Sequence, residues 1–109
     1  MGREAIHVGE HIADELEEMK MTPAAFARAL GISPKKLNEI LEFKRGNDGD
    51  MALRLGHFFN TGPEIWMSRQ SLYEIRKAEA KIGKTIKTLP KLMAPNGGIP
   101  NEIIKVAAA

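Results

Sequence analysis

The sequence predicts an all-α protein, with five helices over residues 1–80 and a basic tail containing proline and glycine over residues 81–109. Apolar residues recur at helical spacing along the first segment, and the alternating pattern of strands is nearly absent. Two pairs of a hydroxyl residue and a proline, which commonly begin helices, divide that segment. A chain of 109 residues can bury one modest core, so we expect a single helical domain.

The first predicted helix covers residues 9–20. Ile12, Leu16 and Met19 lie four and then three residues apart, so they form one apolar stripe. Residues 10–18 include five acidic residues and neither Lys nor Arg, and we expect most of these acids on a solvated face.

The second and third helices are short, and the sequence indicates the N-terminus of each. Thr22-Pro23 and Ser33-Pro34 both place an N-cap residue before a proline at the first helical position. Gly31 suits the left-handed residue that ends the second helix. The angle between the two helices is expected to be fixed by packing of Ala27, Ile32, Leu37 and Ile40.

The fourth helix would be capped by Asp48 or Asp50 and run to about residue 59. The fifth begins at residues 61–64 and is expected to end near Ala80. Its two aromatic residues are seven apart and share a face, which favours the core or a dimer contact over a base-stacking platform. They are Trp66 and Tyr73.

The tail combines lysines with helix-breaking residues. Residues 81–91 carry Lys81, Lys84, Lys87 and Lys91 without an acid. The helical pattern weakens beyond Ile82, and three prolines and an Asn-Gly-Gly run break any long helix, although Ile82, Ile86 and Leu89 could still form one or two amphipathic turns. We expect the tail to be mobile alone or ordered by a partner, which it could contact as protein or as phosphate.

Two short helices joined by a glycine turn, residues 22–45, are typical of a helix-turn-helix. In that motif the second helix enters the major groove of double-stranded DNA and the first lies across the backbone. The sequence therefore predicts DNA binding through this segment. The residues assigned to the contact are Thr22, Ser33, Lys35, Lys36, Asn38, Glu39, Lys44 and Arg45.

The side chains of the third helix differ in the contacts open to them. Lys35 and Lys36 lie in its first turn and can donate to guanine or neutralise phosphate. Asn38 can pair with adenine, and Glu39 can accept from cytosine although its charge repels phosphate. The alternative is that the two lysines form only a solvated face.

No catalytic, metal or cofactor arrangement stands out, so we predict a protein that is not an enzyme. His7 and His11 are four residues apart, but His7 is expected to precede the first helix, which argues against a metal pair. The chain has no cysteine, which excludes disulfides and thiolate metal sites and fits a reducing cytoplasm. Neither a signal peptide nor an apolar run of the ~20 residues needed to span a membrane is visible.

Several motifs resemble one family. Ala25-Phe26-Ala27-Arg28-Ala29-Leu30-Gly31-Ile32-Ser33 resembles the core of the Cro/C1-type (XRE) helix-turn-helix. The other motifs are His7-Val8-Gly9-Glu10, Lys44-Arg45-Gly46, Met51-Ala52-Leu53-Arg54-Leu55, Phe58-Phe59 and Gly62-Pro63-Glu64-Ile65-Trp66-Met67. Together they resemble the HigA-type antitoxins, also called virulence-associated protein I, over residues 6–80.

The resemblance implies a five-helix, lambda-repressor-like domain that forms a homodimer. It also implies that the protein neutralises a toxin, in this family a small RelE-like ribonuclease (HigB) that cuts messenger RNA on the ribosome. Repression of its own operon through operator DNA would be the second activity. A stand-alone XRE-type regulator without a toxin partner is the alternative.

Some positions depart from the family pattern. Glu42-Phe43 replaces an Asn-Gly pair, so the glycine expected after the third helix is missing and the end of that helix must be built differently. Pro34 offers no side-chain hydrogen bond at a base-reading position, and Glu39 stands where a basic or amide residue is common. These changes bear on the preferred DNA sequence and on binding strength rather than on the fold.

The acidic residues of the first helix give a hypothesis for the toxin contact. Ribonucleases carry basic substrate surfaces, which an acidic face can complement. Ordinary solubilising charge is the alternative. The residues concerned are Asp14, Glu15, Glu17 and Glu18.

Overall fold

The computed structural model describes residues 4–92, and in that part of the chain all regular structure is helical. The five helices, in order, are α1 Val8–Met19, α2 Pro23–Leu30, α3 Pro34–Leu41, α4 Gly49–Phe58 and α5 Glu64–Ile86. The prediction of an all-α fold with five helices is confirmed.

The helix starts follow the capping residues of the sequence. Thr22, Ser33 and Asp48 cap α2, α3 and α4, and each side chain accepts a hydrogen bond from the backbone N–H three residues on, at 3.1, 3.1 and 2.9 Å. Of the two aspartates considered for α4, Asp48 is therefore the cap. His7 precedes α1, as expected, and its Nδ1 accepts from the N–H of Gly9 at 2.9 Å.

The core lies where α1, α2, α3 and α4 pack against one another, with α1 on α3 and α2 on both α3 and α4. Its largest fully enclosed side chains come from every helix, so one apolar cluster holds the domain together. The buried apolar residues are Val8, Ile12, Leu16, Phe26, Ala27, Leu30, Leu37, Ile40, Met51, Ala52, Leu55 and Trp66.

The end of α5 differs from the prediction. The helix does not stop near Ala80 but continues to Ile86. Gly83 does not stop it, since a glycine within a helix costs only about 1 kcal/mol relative to alanine. The first proline after the start of α5 is Pro90, which lies beyond the observed end of the helix.

Two compact units make up the chain, Met1–Lys77 and Ala78–Ala109. The predicted boundary after residue 80 stays a prediction, and so does the behaviour of the tail, whose residues 93–109 lie outside those described. Among the described helices, none combines the length and apolar character needed to cross a membrane.

Candidate nucleic-acid interface

The turn between α2 and α3 has the geometry of a helix-turn-helix. Gly31 adopts the left-handed conformation, with φ of 71°, as the sequence predicted. The N–H groups of Gly31 and Ile32 donate to the carbonyls of Arg28 and Ala27 at 3.1 and 3.0 Å, which closes the end of α2. The chain then re-enters a helix at Pro34 after only two further residues.

Arg54 on α4 fastens this turn from outside, a role that the sequence analysis missed. Its guanidinium donates from one Nη to the carbonyls of Leu30 and Gly31 at 2.7 and 3.1 Å. Its Nε donates to the carboxylate of Asp50 at 3.1 Å. The spacing of Asp50 and Arg54 reads as a helical i, i+4 pair, but the reach of Arg54 to α2 has no local sequence signal.

Two of the assigned side chains of α3 project into solvent. Lys35 and Asn38 are exposed, and none of the ion pairs formed among residues 4–92 includes Lys35. Both residues follow the Ser33 cap within two helical turns, so they lie near the positively polarised N-terminus of α3. These are the positions at which a recognition helix meets base edges and phosphates.

Lys36 behaves differently from its neighbour. Its Nζ lies 3.4 Å from the Oδ2 of Asp50 on α4, and its side chain is 23% exposed. Hydrogen bonds from Arg54 and then from Lys36 lower the pKa of Asp50 below its usual value, so the carboxylate stays ionised at neutral pH. The sequence predicted a solvent-facing Lys36 available for DNA contact, with a merely solvated face as the alternative, whereas the structure pairs its ammonium with Asp50 of α4.

The other assigned cations also have acidic partners. Arg45 and Glu39 form an ion pair at 3.2 Å, and Lys44 and Glu42 form another at 3.2 Å. Glu39, which the sequence suggested as an acceptor for cytosine with a charge that repels phosphate, is therefore held by Arg45 in the unbound protein. Exposed pairs of this kind contribute about 0–1 kcal/mol, so DNA phosphates can exchange with them.

The end of α3 is built without the glycine typical of the family. Phe43 takes the left-handed conformation, with φ of 65°, although this costs a residue with a Cβ about 1–2 kcal/mol. Its ring stacks on the buried ring of His7 with centroids 4.8 Å apart, which offsets part of that cost. His7 also contacts Tyr73 of α5 edge-on at 4.8 Å.

Gly9 allows α1 to approach the end of α3 closely. A Cβ at this position would overlap the carbonyl oxygen of Ile40, so no other residue fits without movement of the backbone. The segment from His7 to Gly9 thus supports the end of α3 and the loop that carries Lys44 and Arg45. No sequence pattern indicated this supporting role of His7 and Gly9.

The same loop is anchored to α5 at its far end. The N–H of Asn47 donates to Oε1 of Gln70 at 2.7 Å, and its side-chain Nδ2 donates to the carbonyl of Trp66 at 2.8 Å. Asn47 is 5% exposed, so these are buried hydrogen bonds that hold the loop against α5.

Trp66 lies in the core at 2% exposure, and its indole N–H donates to the Thr61 hydroxyl at 3.1 Å. Tyr73 is half-buried against His7. On the outer side of α5, Ile65, Leu72 and Ile75 are 42%, 42% and 55% exposed and follow one another at helical spacing. Leu72 and Ile75 border a shallow groove of about 610 Å³.

The acidic face of α1 is largely solvated. Asp14, Glu17 and Glu18 are exposed and Glu15 is half-buried. Within residues 4–92, no cluster of three or more His, Cys, Asp or Glu side chains is placed to hold a metal ion.

Known proteins share this fold and much of this sequence. Virulence-associated protein I of Dichelobacter nodosus is 40% identical over 76 residues, which span 69% of this chain and 70% of that protein. An addiction module antidote protein of the HigA family from Coxiella burnetii superposes with a TM-score of 0.78 at 38% identity, covering 82% of this chain and 99% of the other. The antitoxin HigA of Pseudomonas aeruginosa, solved with the higBA promoter, gives a TM-score of 0.75 at 43% identity, covering 82% and 99%. No family model matches the chain.

Proposed function

The chain belongs to the HigA family of antitoxins, and from this membership we propose that it binds the operator of its own operon and neutralises a RelE-like ribonuclease in the cytoplasm. The observation that carries the DNA half of the proposal is the exposed first half of α3. There Lys35 and Asn38 are exposed to solvent near the N-terminus of the helix. Arg54 stabilises the turn that precedes this helix. The Pseudomonas aeruginosa HigA that was solved with the higBA promoter supports operator binding by this fold.

The proposed contact uses α3 as the recognition helix. Lys35 donates to guanine or to phosphate, and Asn38 pairs with adenine in the major groove. Thr22 and Ser33 present the N-termini of α2 and α3 to phosphates, while Lys44 and Arg45 exchange their acidic partners for the DNA backbone. Glu39 reads cytosine only when Arg45 has moved to a phosphate.

The operator complex is proposed to contain a homodimer. The exposed stripe of Ile65, Leu72 and Ile75 gives a second copy an apolar surface to cover, because singly exposed apolar residues are ordinary but a helical stripe of them is a contact surface. Ile75→Glu should therefore yield a monomer in analytical ultracentrifugation. Leu53→Glu, at an exposed leucine of α4, is the matched control and should leave the dimer intact.

The toxin is proposed to dock on the acidic face of α1. Its carboxylates complement the basic substrate surface of a ribonuclease. Reversing the charges of Asp14, Glu15, Glu17 and Glu18 together should weaken toxin affinity by at least tenfold in calorimetry. An unchanged affinity would mean that these acids only keep the protein dissolved.

The DNA half is tested with the two adjacent lysines. Lys35→Ala should weaken operator affinity and flatten the slope of log affinity against log salt by about one, the value for one lost phosphate contact. Lys36→Ala should have a smaller effect, since Lys36 is already paired with Asp50. Equal affinity for all three proteins in mobility-shift titrations would refute the assignment of α3.

The toxin half is tested by co-expression with the product of the adjacent small open reading frame. Rescue of growth and co-purification of the two proteins are the expected results. If the protein binds its operator but neither rescues growth nor co-purifies with that product, it is a stand-alone regulator of the same fold.

A further inference from the structure

Asp50 is shared by two cations that serve different purposes. Its Oδ2 accepts from Arg54 Nε at 3.1 Å and from Lys36 Nζ at 3.4 Å. Arg54 is held independently by two carbonyls of the turn, so it stays in place without Asp50. Lys36 has no second partner among the hydrogen bonds of residues 4–92, so Asp50 alone draws its ammonium towards α4.

The position of Lys36 makes this pairing consequential. Lys36 lies in the first turn of α3, where its backbone N–H is bonded to the Ser33 cap at 3.1 Å. A lysine there reaches a DNA phosphate only after its ammonium leaves Asp50. Asp50 is itself 55% exposed and ionised, so it faces the same solvent region as the lysine that it holds.

The inference rests on the proposed DNA binding: we propose that Asp50 restrains DNA binding by competing with DNA phosphate for the Lys36 ammonium. Phosphate contacts supply essentially all of the affinity for random DNA and a share of the affinity for the operator. Holding back the ammonium of one lysine therefore weakens binding to DNA. Operator binding adds base contacts from Lys35 and Asn38, which Asp50 does not touch. Because these base contacts add to the phosphate contacts without replacing them, Asp50 lowers affinity for random DNA and for the operator by a similar factor.

Two other roles for the Asp50 carboxylate predict different changes in DNA affinity when it is removed. If Asp50 instead positioned Lys36 for its contact with DNA, its removal would weaken binding. If Asp50 only repelled DNA through space, its removal would strengthen binding whether or not Lys36 is present. A double-mutant cycle separates these roles.

The experiment measures fluorescence anisotropy with an operator duplex and a random duplex over a series of salt concentrations. The proteins are wild type, Asp50→Asn, Lys36→Gln and the double variant. Asp50→Asn should bind random DNA about three- to tenfold more tightly at low salt and steepen its salt slope by about one. In the Lys36→Gln background the same substitution should change neither quantity.

Two further variants guard against trivial explanations. Glu10→Gln removes an equal charge from an exposed position in the first turn of α1 and should leave both salt slopes unchanged. Asp50→Ser should repeat the effect of Asp50→Asn, and thermal melts establish that both variants fold.

Each outcome decides the inference. An equal gain in both backgrounds, or a loss of affinity on Asp50→Asn, overturns the competition for Lys36. Failure of the wild type to prefer operator over random DNA would instead overturn the proposed function. The two failures are thus distinguishable within one data set.

Discussion

Replacing Gly9 with alanine adds one methyl group where α1 meets the end of α3. The new Cβ would overlap the carbonyl oxygen of Ile40 and lie 3.1 Å from both Nδ1 of His7 and a ring carbon of Phe43. The overlapped atom belongs to the backbone, so rotation of a side chain cannot relieve the clash. Either α1 or the last turn of α3 has to move.

The expected loss of stability is a difference between two effects. Forcing an extra methyl into a packed site costs about 1–3 kcal/mol. Alanine within a helix is favoured over glycine by about 0.5–1 kcal/mol, which returns part of that cost. A net loss of about 1 kcal/mol lowers the melting temperature of a domain of this size by roughly 4–8 °C.

Thermal and urea unfolding followed by circular dichroism measure this loss. Gly49→Ala is the matched control, because Gly49 also lies in the first turn of a helix and a Cβ there would have no neighbour within 4 Å. That variant should be as stable as the wild type or slightly more stable. If Gly9→Ala and Gly49→Ala had the same melting temperature, the close approach of α1 to α3 would not require glycine at position 9.

Three further substitutions test other fixtures of the domain. Asn47→Ala removes the hydrogen bond to the carbonyl of Trp66 and should lower the free energy of unfolding in urea by about 0.5–1.5 kcal/mol; an unchanged midpoint would contradict the anchoring role. Burial lowers the pKa of His7 below 6.5, so the unfolded chain binds the proton more readily and stability should be lost as pH falls through 6.5. His7→Asn, which keeps a capping side chain, should show a shallower loss between pH 7 and 5 in thermal melts, and an identical profile would refute the assignment. Gly31→Ala forces a Cβ into a left-handed residue at a cost of about 1–2 kcal/mol and should weaken operator binding as well as stability; unaltered binding in a mobility shift would show that the turn tolerates the change.

The local signals of the sequence were sufficient for most of the fold. Thr22, Gly31 and Ser33 act within three residues of themselves, so their roles as caps and turn could be predicted without a structure. The end of α5 was predicted too early because residues 81–86 have only weak helical periodicity. No residue among them stops a helix, and the helix continues to Ile86.

The contacts that fix the interface depend on distant parts of the chain. Arg54 bonds carbonyls 24 and 23 residues away, and Asn47 bonds Gln70 across 23 residues. Such pairs have no spacing rule, since the fold alone decides which elements meet. The pairing of Lys36 with Asp50, 14 residues apart, was missed for the same reason.

The left-handed Phe43 illustrates what a departure from a family pattern predicts. Absence of the usual glycine indicated that the end of α3 would be built differently. The stacking partner that stabilises it, His7, precedes α1 and is far from Phe43 in the sequence, so it could not be inferred from the local residues. The sequence therefore indicates where the end of α3 departs from the family pattern, but not the contact that stabilises it.

The central claim, that two copies of α3 read operator DNA, is tested most directly by hydroxyl-radical footprinting on the DNA preceding the protein's own gene. A two-fold dimer should protect two half-sites of a pseudo-palindrome with centres ~10 base pairs apart, one helical turn. Lys35→Ala should need a higher protein concentration to protect the DNA, with both half-sites weakened together. Uniform cleavage along this DNA at protein concentrations that saturate the mobility shift, or a single protected half-site, would contradict the account.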